Sequence, residues 1–329
     1  MESITSRIDA VTKIPASHLG TIIPPPKSVK IELTNRCNYA CNYCGLRGRE
    51  TPGKEDIDFA KFQDWTRQMR EAGVEEIGLF YIGESTMNPA LLVKCLKHVK
   101  QVLQFPYVFL TSNASLANPM LVGELMENGL DSLKWSVNAA TPDQFRDTMG
   151  VKPKLFEDAL RNIEAAWRTR EEKGYKTRLY ASSIKFDGEQ QEKMWALLRA
   201  RVLPYVDEHY WLPLFSEMQS PLAEKNLARG WKPNAGNSGR LENMVDPLPC
   251  WATQSEGHLR VDGHLSACCF GADDTFDMAD LNEVSFMDGW NSKAFQQLRK
   301  AHLSGDVHGT ACEHCIHGAA SKVIEIKQA

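Results

Sequence analysis

The sequence lacks any long run of apolar residues. A membrane-spanning helix needs about 20 of them in succession, and no segment approaches that length. The N-terminal residues also lack the basic start and apolar centre of a secretory signal peptide. We therefore expect a cytoplasmic protein that binds no membrane, in a compartment where thiols are kept reduced.

An excess of charge of either sign is also absent. The chain carries 38 Lys and Arg residues against 42 Asp and Glu residues, for a net charge of −4. This balance gives no electrostatic reason to expect nucleic acid as a partner. With 43% hydrophobic and 24% charged residues, the composition is that of a globular protein and excludes a disordered or coiled-coil chain. A length of 329 residues predicts about two domains.

The informative feature is cysteine. Nine cysteines, an odd number, fall mainly in two groups, one near each end of the chain. In a reducing compartment this distribution argues against a disulfide framework and for metal ligation. The first group is Cys37, Cys41 and Cys44, the second is Cys250, Cys268, Cys269, Cys312 and Cys315, and Cys95 stands alone in a helical segment where we expect it to pack in the core.

The pattern along the chain suggests four regions. Residues 1–28 read as an arm that ends in a proline run, because prolines cannot continue a helix or a strand ladder. Residues 29–215 alternate short β-rich runs with helical stretches. Residues 216–249 are polar and rich in Gly, Pro and Asn, as in a linker or a substrate-covering loop. Residues 250–329 hold the second cysteine group.

Six strand–helix units in succession predict parallel strands with right-handed crossovers. Six units are too few for an ordinary eight-fold barrel, so we expect an α/β fold with an open barrel or a doubly wound sheet. In both, the functional face lies at the carboxyl ends of the strands. The predicted strands are residues 29–34, 76–82, 107–112, 133–137, 177–184 and 208–214.

Helix starts are marked by capping residues. Asn88 and Asn118 each precede a proline, and Thr141 opens a capping box. A further helix is expected over residues 154–173. In the C-terminal region, Asp262-Gly263 predicts a hairpin turn, and a single helix is expected near residues 285–303.

The spacing CxxxCxxC directly after the first strand places three thiolates at the functional face. Three are too few for a closed structural zinc site and suit an iron–sulfur cluster with one iron open to another ligand. A zinc site with a distant fourth ligand, such as His18, is the alternative.

This motif, after the first strand of a six-fold repeat, resembles the radical S-adenosylmethionine (radical SAM) superfamily. The resemblance implies a partial (β/α)6 barrel in which Cys37, Cys41 and Cys44 hold a [4Fe–4S] cluster. SAM chelates the open iron, and an electron from the cluster cleaves it to methionine and a 5′-deoxyadenosyl radical, which abstracts a substrate hydrogen. It also implies an electron donor such as flavodoxin or ferredoxin.

Other strand ends extend the resemblance over about residues 29–215. The segment Tyr81–Glu84 resembles a Gly-Gly-Glu motif with Ile82 in place of the first glycine, and Asn138 stands where an Asp is common. Glu84 could instead be a capping residue, and Ser136 and Asn138 plain turn formers. The SAM contacts implied are Tyr43, Gly83, Glu84, Asn113, Ser136, Asn138 and Leu212.

The spacing of the second cysteine group by itself fits a zinc ribbon or a four-cysteine [4Fe–4S] cluster, and favours zinc. Beside a radical SAM core, Cys…Gly-x4-Cys…Cys-x-x-Cys resembles the auxiliary-cluster region of the SPASM group in its shortened "twitch" form. This implies a C-terminal auxiliary-cluster domain with a second [4Fe–4S] cluster, and Cys269 as the alternative to Cys268. The implied ligands are Cys250, Cys268, Cys312 and Cys315.

The twitch form resembles dehydrogenases of aminocyclitols and aminoglycoside sugars, so we expect oxidation of a carbinol in a small-molecule substrate. Candidate bases at strand ends are Arg178, Lys185 and Glu217. An epimerase would need a thiol as hydrogen donor, for which Cys95 and Cys269 remain. A peptide-modifying SPASM enzyme is a second alternative, although residues 1–28 are short for a peptide-recognition domain, and a zinc or iron–sulfur scaffold without catalysis is a third.

Overall fold

A computed structural model describes residues 3–44, 53–186, 188–212, 248–269, 274–313 and 315–316. Its centre is a sheet of nine strands within these ranges, in the order β6-β5-β4-β3-β2-β1-β7-β8-β9. The strands are β1 (Ser28–Ile31), β2 (Glu76–Gly78), β3 (Tyr107–Ser112), β4 (Ser132–Ser136), β5 (Arg178–Ile184), β6 (Glu208–Leu212), β7 (Glu256–Leu259), β8 (His264–Ser266) and β9 (Asp277–Asp280).

Strands β1 to β6 pair in parallel, each with its sequence neighbour. This confirms the predicted α/β fold with a parallel sheet. Helices connect these strands and cover the outer face of the sheet. The helices of this part are α2 (Phe59–Ala72), α3 (Pro89–Lys97), α4 (Pro119–Glu127), α5 (Pro142–Met149), α6 (Lys154–Lys173) and α7 (Gly188–Arg201).

Local sequence signals place the helix starts correctly. The Asn88 and Asn118 side chains accept hydrogen bonds from the third backbone N–H of α3 and α4. Thr141 caps α5 in the same way, and Gln144 returns a bond to the backbone N–H of Ala140. These side chains satisfy helix N–H groups that have no partner within the helix. The helix predicted over residues 154–173 is α6.

The strands alternate between an apolar outer face and a polar inner face. On β1, Val29 and Ile31 are completely buried in the core beneath the helices. The intervening Ser28 and Lys30 point the other way, as the two-residue period of a strand requires. We call the space enclosed by the inner faces of β1–β7 the barrel lumen.

The expected N-terminal arm contains a helix that sequence analysis did not identify. Helix α1 (Ile4–Thr12) begins at Ser3, whose hydroxyl accepts from Ser6 N–H. It lies across the amino ends of the strands: Ile4 N–H donates to Glu208 on β6, and Arg7 pairs with Glu76 on β2 at 2.5 Å. Helix α1 therefore closes the lumen at the end opposite the expected functional face.

The C-terminal region extends the sheet. The predicted hairpin is formed by β7 and β8, with Gly263 in the left-handed conformation (φ 101°) that the turn needs. In addition, β7 pairs in parallel with β1, which was not predicted. The single helix expected near residues 285–303 is wrong: Ser292 caps a new helix, so two helices replace one. The helices of this region are α8 (Trp251–Gln254), α9 (Phe286–Trp290) and α10 (Lys293–Ser304).

Two strands end earlier than expected, at Ile31 and Gly78. After Gly78 the chain turns toward the segment that follows β1, and Glu84 N–H donates to Arg36 C=O. Of the predicted linker over residues 216–249, positions 216–247 lie outside the described residues. Among the helices described, none is both long and apolar enough to cross a membrane.

Candidate active site

The loop Cys37–Cys44 follows β1 at the carboxyl end of the sheet and is fixed on the end of α5. Ala40 N–H donates to Met149 C=O and Asn42 N–H to Thr148 C=O, both at 2.8 Å. Gly150, with φ 64°, lies so close that a Cβ there would stand 2.8 Å from Ala40 C=O. Backbone contacts of this kind hold the loop in one position.

The three thiols of this loop lie close together. Burial raises the pKa of Cys41 well above its usual value, and electrostatic repulsion from Cys44 and Cys37 raises it further. Buried thiolates that repel one another need a positive centre, which iron would supply. The donor set therefore fits the expected cluster. All nine cysteines are outside disulfides.

Gly83 and Glu84 pack against the chain that leads into this loop. A Cβ on Gly83 would stand 1.9 Å from Thr34 C=O, so the backbone contact permits only glycine. Glu84 is nearly buried, and its Oε1 accepts from Thr86 N–H, Thr86 Oγ1 and Ser112 Oγ, while Oε2 accepts from Asn113 N–H at 2.8 Å. Glu84 thus caps a short turn, and Oε2 keeps a lone pair for a further donor.

Asn113, Ser136 and Asn138 line one cavity at the carboxyl ends of β3 and β4, together with Tyr39. Asn138 donates to Tyr43 Oη at 2.8 Å and accepts from Ile184 N–H at 3.0 Å. The Asn138 amide therefore links the Cys37–Cys44 loop to β5, with its nitrogen donating to the loop and its oxygen accepting from the strand.

Asn113 makes a further contact at this edge, and Leu212, the last of the predicted SAM contacts, also lies here. Asn113 donates to Asn38 in the Cys37–Cys44 loop at 2.9 Å. At the end of β6, Leu212 C=O accepts from Lys185 N–H. The seven residues expected to contact SAM thus all lie at the carboxyl edge of the sheet, and their contacts with SAM stay predictions.

The three candidate bases do not lie together. Lys185 follows β5 at the carboxyl edge and is exposed, as expected. Arg178 is the first residue of β5 and therefore lies at the opposite end of the barrel. There its guanidinium pairs with Asp207 at 3.5 Å and Glu208 at 3.7 Å. Glu217 lies outside the described residues.

The second cysteine group also assembles. Burial raises the pKa of Cys250 well above its usual value, with smaller contributions from Cys312, Cys315 and Cys269. Cys250 and Cys269 both pack against the apolar cluster of Val11, Trp251 and Ala252, whereas Cys268 packs against the main core. The assignment of Cys268 as the fourth sulfur, with Cys269 as the alternative, stays a prediction.

Within the described ranges, no three His, Cys, Asp or Glu side chains converge as ligands of a single metal ion. A [4Fe–4S] cluster spreads its cysteine ligands over its iron atoms, so its thiols need not converge on one point.

The charged residues inside the barrel were not predicted from the sequence. Lys30 Nζ donates to Glu256 Oε2 at 2.8 Å, and His258 Nε2 lies 3.0 Å from the same oxygen, all three being buried. The alternation of Ser, Lys and Glu with Val, Ile and Leu in residues 28–33 could have indicated a polar inner face. The pairing of β7 with β1, which brings Glu256 there, carries no local signal.

Of these residues, Glu256 borders a cavity in the amino half of the lumen, of about 530 Å³ including space that opens to solvent. Helix α1 forms its floor. Its walls carry hydroxyl, ammonium and carboxylate groups on consecutive strands, from Ser28, Glu76, Tyr107, Thr111, Ser132, Lys134, Tyr180, Tyr210 and Glu256.

Family models match both parts of this architecture. The model of the radical SAM superfamily matches residues 31–198, half of the chain. The chain belongs to the radical SAM superfamily. The model of SPASM, an iron–sulfur cluster-binding domain, matches residues 250–316. The protein is therefore a radical SAM enzyme with a SPASM domain, and its cofactors are the SAM-binding [4Fe–4S] cluster, SAM and an auxiliary iron–sulfur cluster, as expected.

Curated relatives share only part of their length with this radical SAM protein. A probable GTP 3′,8-cyclase of Methanopyrus kandleri is 31% identical over 43% of this chain and 43% of its own. A PqqA peptide cyclase of Xanthomonas oryzae pv. oryzae is 30% identical over 46% of this chain and 39% of its own. The chain thus spans less than half the length of these relatives.

Solved structures share the fold at low identity. SuiB of Streptococcus suis, bound to S-adenosylmethionine, has a TM-score of 0.62 at 16% identity, covering 84% of this chain and 68% of its own. The anSMEcpe structure with bound AdoMet has a TM-score of 0.61 at 13% identity, covering 89% and 85%. BtrN in complex with AdoMet and 2-DOIA has a TM-score of 0.50 at 15% identity, covering 85% and 87%.

Proposed function

We propose that this radical SAM enzyme oxidises a carbinol of a sugar or aminocyclitol to a ketone. The carbinol carbon loses a hydrogen atom to the 5′-deoxyadenosyl radical, its hydroxyl loses a proton, and one electron passes to the auxiliary cluster. When bound, the first cluster and SAM supply the radical, and the auxiliary cluster supplies a one-electron acceptor.

The polar lumen cavity is the observation that supports this proposal. Its wall groups can donate to and accept from several hydroxyls of one small molecule, and α1 closes its lower end. The second cysteine group lies near the cavity, because Val11 lines the cavity and belongs to the apolar cluster of Val11, Trp251 and Ala252 against which Cys250 and Cys269 pack. A substrate in the lumen thus lies between the radical source and an electron acceptor.

The chain's own residues orient and enclose the reactants. Glu84 Oε2 and the cavity lined by Ser136 and Asn138 hold SAM at the carboxyl edge. Thr111 and Lys134, on the inner faces of β3 and β4, bind substrate hydroxyls from the side. Lys185, at the exposed carboxyl end of β5, receives the hydroxyl proton on its neutral amine.

Substrate deuteration tests the proposal. The reconstituted, anaerobic enzyme is incubated with SAM, dithionite and aminocyclitols deuterated at the carbinol carbons. We expect deuterium in 5′-deoxyadenosine and a product that has lost two hydrogen atoms. A product in which one carbinol deuterium has been replaced by hydrogen, with no second hydrogen lost, would indicate the epimerase alternative instead, with Cys269 as the candidate donor.

A peptide-modifying reaction is the second candidate. The similarity to a PqqA peptide cyclase over 46% of the chain favours it. In that case none of the aminocyclitols would quench the radical, and deuterium would reach 5′-deoxyadenosine only from a deuterated peptide. The same assay with both substrate classes separates the two candidates.

A further inference from the structure

The segment Tyr81–Glu84 contacts both cysteine sites. At one end, Gly83 and Glu84 pack on the chain from Thr34 to Arg36 that leads into the first cysteine loop. At the other end, Tyr81 Oη donates to Cys268 C=O at 2.5 Å. Only residues 82 and 83 thus separate Tyr81, which contacts the second cysteine group, from Glu84 at the predicted SAM-binding edge.

Several contacts hold Tyr81 and its acceptor rigidly. The Tyr81 ring packs on the His258 ring with centroids 5.4 Å apart and planes inclined by 32°. Ser266 Oγ donates to the same Cys268 C=O at 3.3 Å and accepts from Cys268 N–H at 3.4 Å. Two hydroxyls therefore converge on the peptide that joins Cys268 to Cys269.

A buried tyrosine hydroxyl usually finds some acceptor, so the bond alone would be unremarkable. Its position distinguishes it. Cys268 and Cys269 are the two candidates for the fourth sulfur, and the acceptor carbonyl belongs to the peptide between them. Whichever cysteine binds the cluster, Tyr81 is one hydrogen bond and a few covalent bonds from it.

We propose that Tyr81 is a positioning residue that couples the barrel mouth to the auxiliary cluster. It fixes the Cys268–Cys269 peptide and provides the hydrogen-bonded path along which the electron leaves the substrate. Electron transfer slows steeply with distance and is faster through bonds than across gaps. The carbinol carbon radical gives up one electron, which the auxiliary cluster would gain when bound, and the hydroxyl proton goes to the neutral amine of Lys185 and then to water. This path rests on the proposed carbinol oxidation, whereas the positioning role does not.

Tyr81→Phe removes the hydroxyl and keeps the ring on His258. We expect unchanged iron content and unchanged SAM cleavage, but a ratio of oxidised product to 5′-deoxyadenosine about tenfold lower. Independently of substrate, redox titration followed by electron paramagnetic resonance should show a lower midpoint potential for the auxiliary cluster, because a donor that stabilises the reduced state is lost. Tyr205→Phe is the matched control, since Tyr205 packs against Trp167 away from both sites.

An unchanged potential together with an unchanged product ratio would overturn the proposal. If Tyr81→Phe loses iron, 3-fluorotyrosine at position 81 replaces it: its more acidic hydroxyl strengthens the bond and should raise the potential, and no rise would refute the coupling. If the unaltered enzyme oxidises no carbinol, the proposed function fails. The midpoint potential then decides the positioning role of Tyr81 by itself.

Discussion

Gly83 shows how tightly one residue is constrained at the edge where the two halves of the SAM site meet. A Cβ at this position would stand 1.9 Å from the Thr34 carbonyl oxygen and 3.0 Å from that of Arg36. Both obstacles are backbone atoms, so no side-chain rotation relieves the overlap. The requirement for glycine here follows from packing, since the segment Thr34–Arg36 leads directly into the cysteine loop.

We therefore expect Gly83→Ala to displace the Thr34–Arg36 segment, at a cost of about 1–3 kcal/mol in stability. The displaced loop should bind its cluster poorly, so 5′-deoxyadenosine formation should fall well before the protein unfolds. Iron content and SAM cleavage after reconstitution measure this. Gly123→Ala is the control, because its Cβ would meet only the Thr169 methyl group at 3.4 Å. Equal iron and activity in the two variants would contradict the argument.

At the residue scale, the sequence predicted which residues lie at the site better than it predicted the surroundings of each side chain. The seven expected SAM contacts lie together because their motifs follow strands whose carboxyl ends share one edge. Arg178, at the start of the strand predicted over residues 177–184, lies at the amino end of β5 and away from these contacts. The sequence did not predict the buried group of Lys30, Glu256 and His258, because this inner face forms only when β7 pairs with β1. Lys30 and Glu256 are 226 residues apart in the sequence.

Among the elements, α1 closes the lumen through a charged contact. The Arg7 guanidinium lies 2.5 Å from Glu76 and 3.4 Å from the centroid of the Tyr107 ring. Burial raises the pKa of Glu76, which Arg7 and Lys27 oppose. Removing Arg7 would leave a buried carboxylate with Lys27 Nζ at 3.6 Å as its remaining cation in these contacts.

Arg7→Ala should therefore destabilise the protein by about 2 kcal/mol, less than for a fully buried pair because Arg7 is partly exposed. Arg67→Ala removes an exposed ion pair with Asp64 and Glu71 and should cost less than about 1 kcal/mol. Thermal unfolding of the two variants side by side gives the comparison. Equal melting temperatures would show that α1 is not anchored through Arg7.

The packing of α7 on the sheet should depend on pH through His209. The His209 ring packs against Trp195 of α7 and Trp211 of β6, and burial lowers its pKa from 6.5 to about 4. Between these values the unfolded chain binds a proton that the folded chain does not. Stability should therefore be complete above about pH 6.5 and decrease as the pH falls toward 4.

For a partly exposed ring we expect a loss of about 1–2 kcal/mol between about pH 7.5 and about pH 5. His209→Gln keeps a polar side chain and removes the titration, so its stability should decrease less over the same interval. Other histidines titrate equally in both proteins, and the difference between the two pH dependences isolates His209. Parallel pH dependences would assign the acid sensitivity elsewhere.

Elements with local signals were predicted and those without were not. Asn88, Asn118 and Thr141 mark helix starts because each cap bonds within its own first turn. Helix α1 was not predicted because it is short. Its stability comes from contacts with β2 and β6, and from the packing of Val11 with Trp251 and Ala252. The break between α9 and α10 depends on Asn291, which donates to Ile23 C=O and accepts from Ile23 N–H far away in sequence.

For the molecule as a whole, the two cysteine groups are held by different parts of the fold, the first loop by the end of α5 and the second group by the C-terminal region, so they should be separable by mutation. With two [4Fe–4S] clusters, the anaerobically reconstituted protein should hold about eight iron atoms per chain. Cys312→Ala should reduce this to about four, because it removes one sulfur of the second group and leaves the first loop on α5 untouched.

The Cys312→Ala variant should still form 5′-deoxyadenosine from SAM but no ketone, since the substrate radical then lacks its electron acceptor. Cys95→Ala is the control: Cys95 is completely buried in α3, as expected from sequence, and lies outside both groups, so iron content should stay at about eight. Iron analysis and product assays on both variants decide the point. Full iron content or continued ketone formation in Cys312→Ala would show that electron transfer to the second cluster is not part of the reaction.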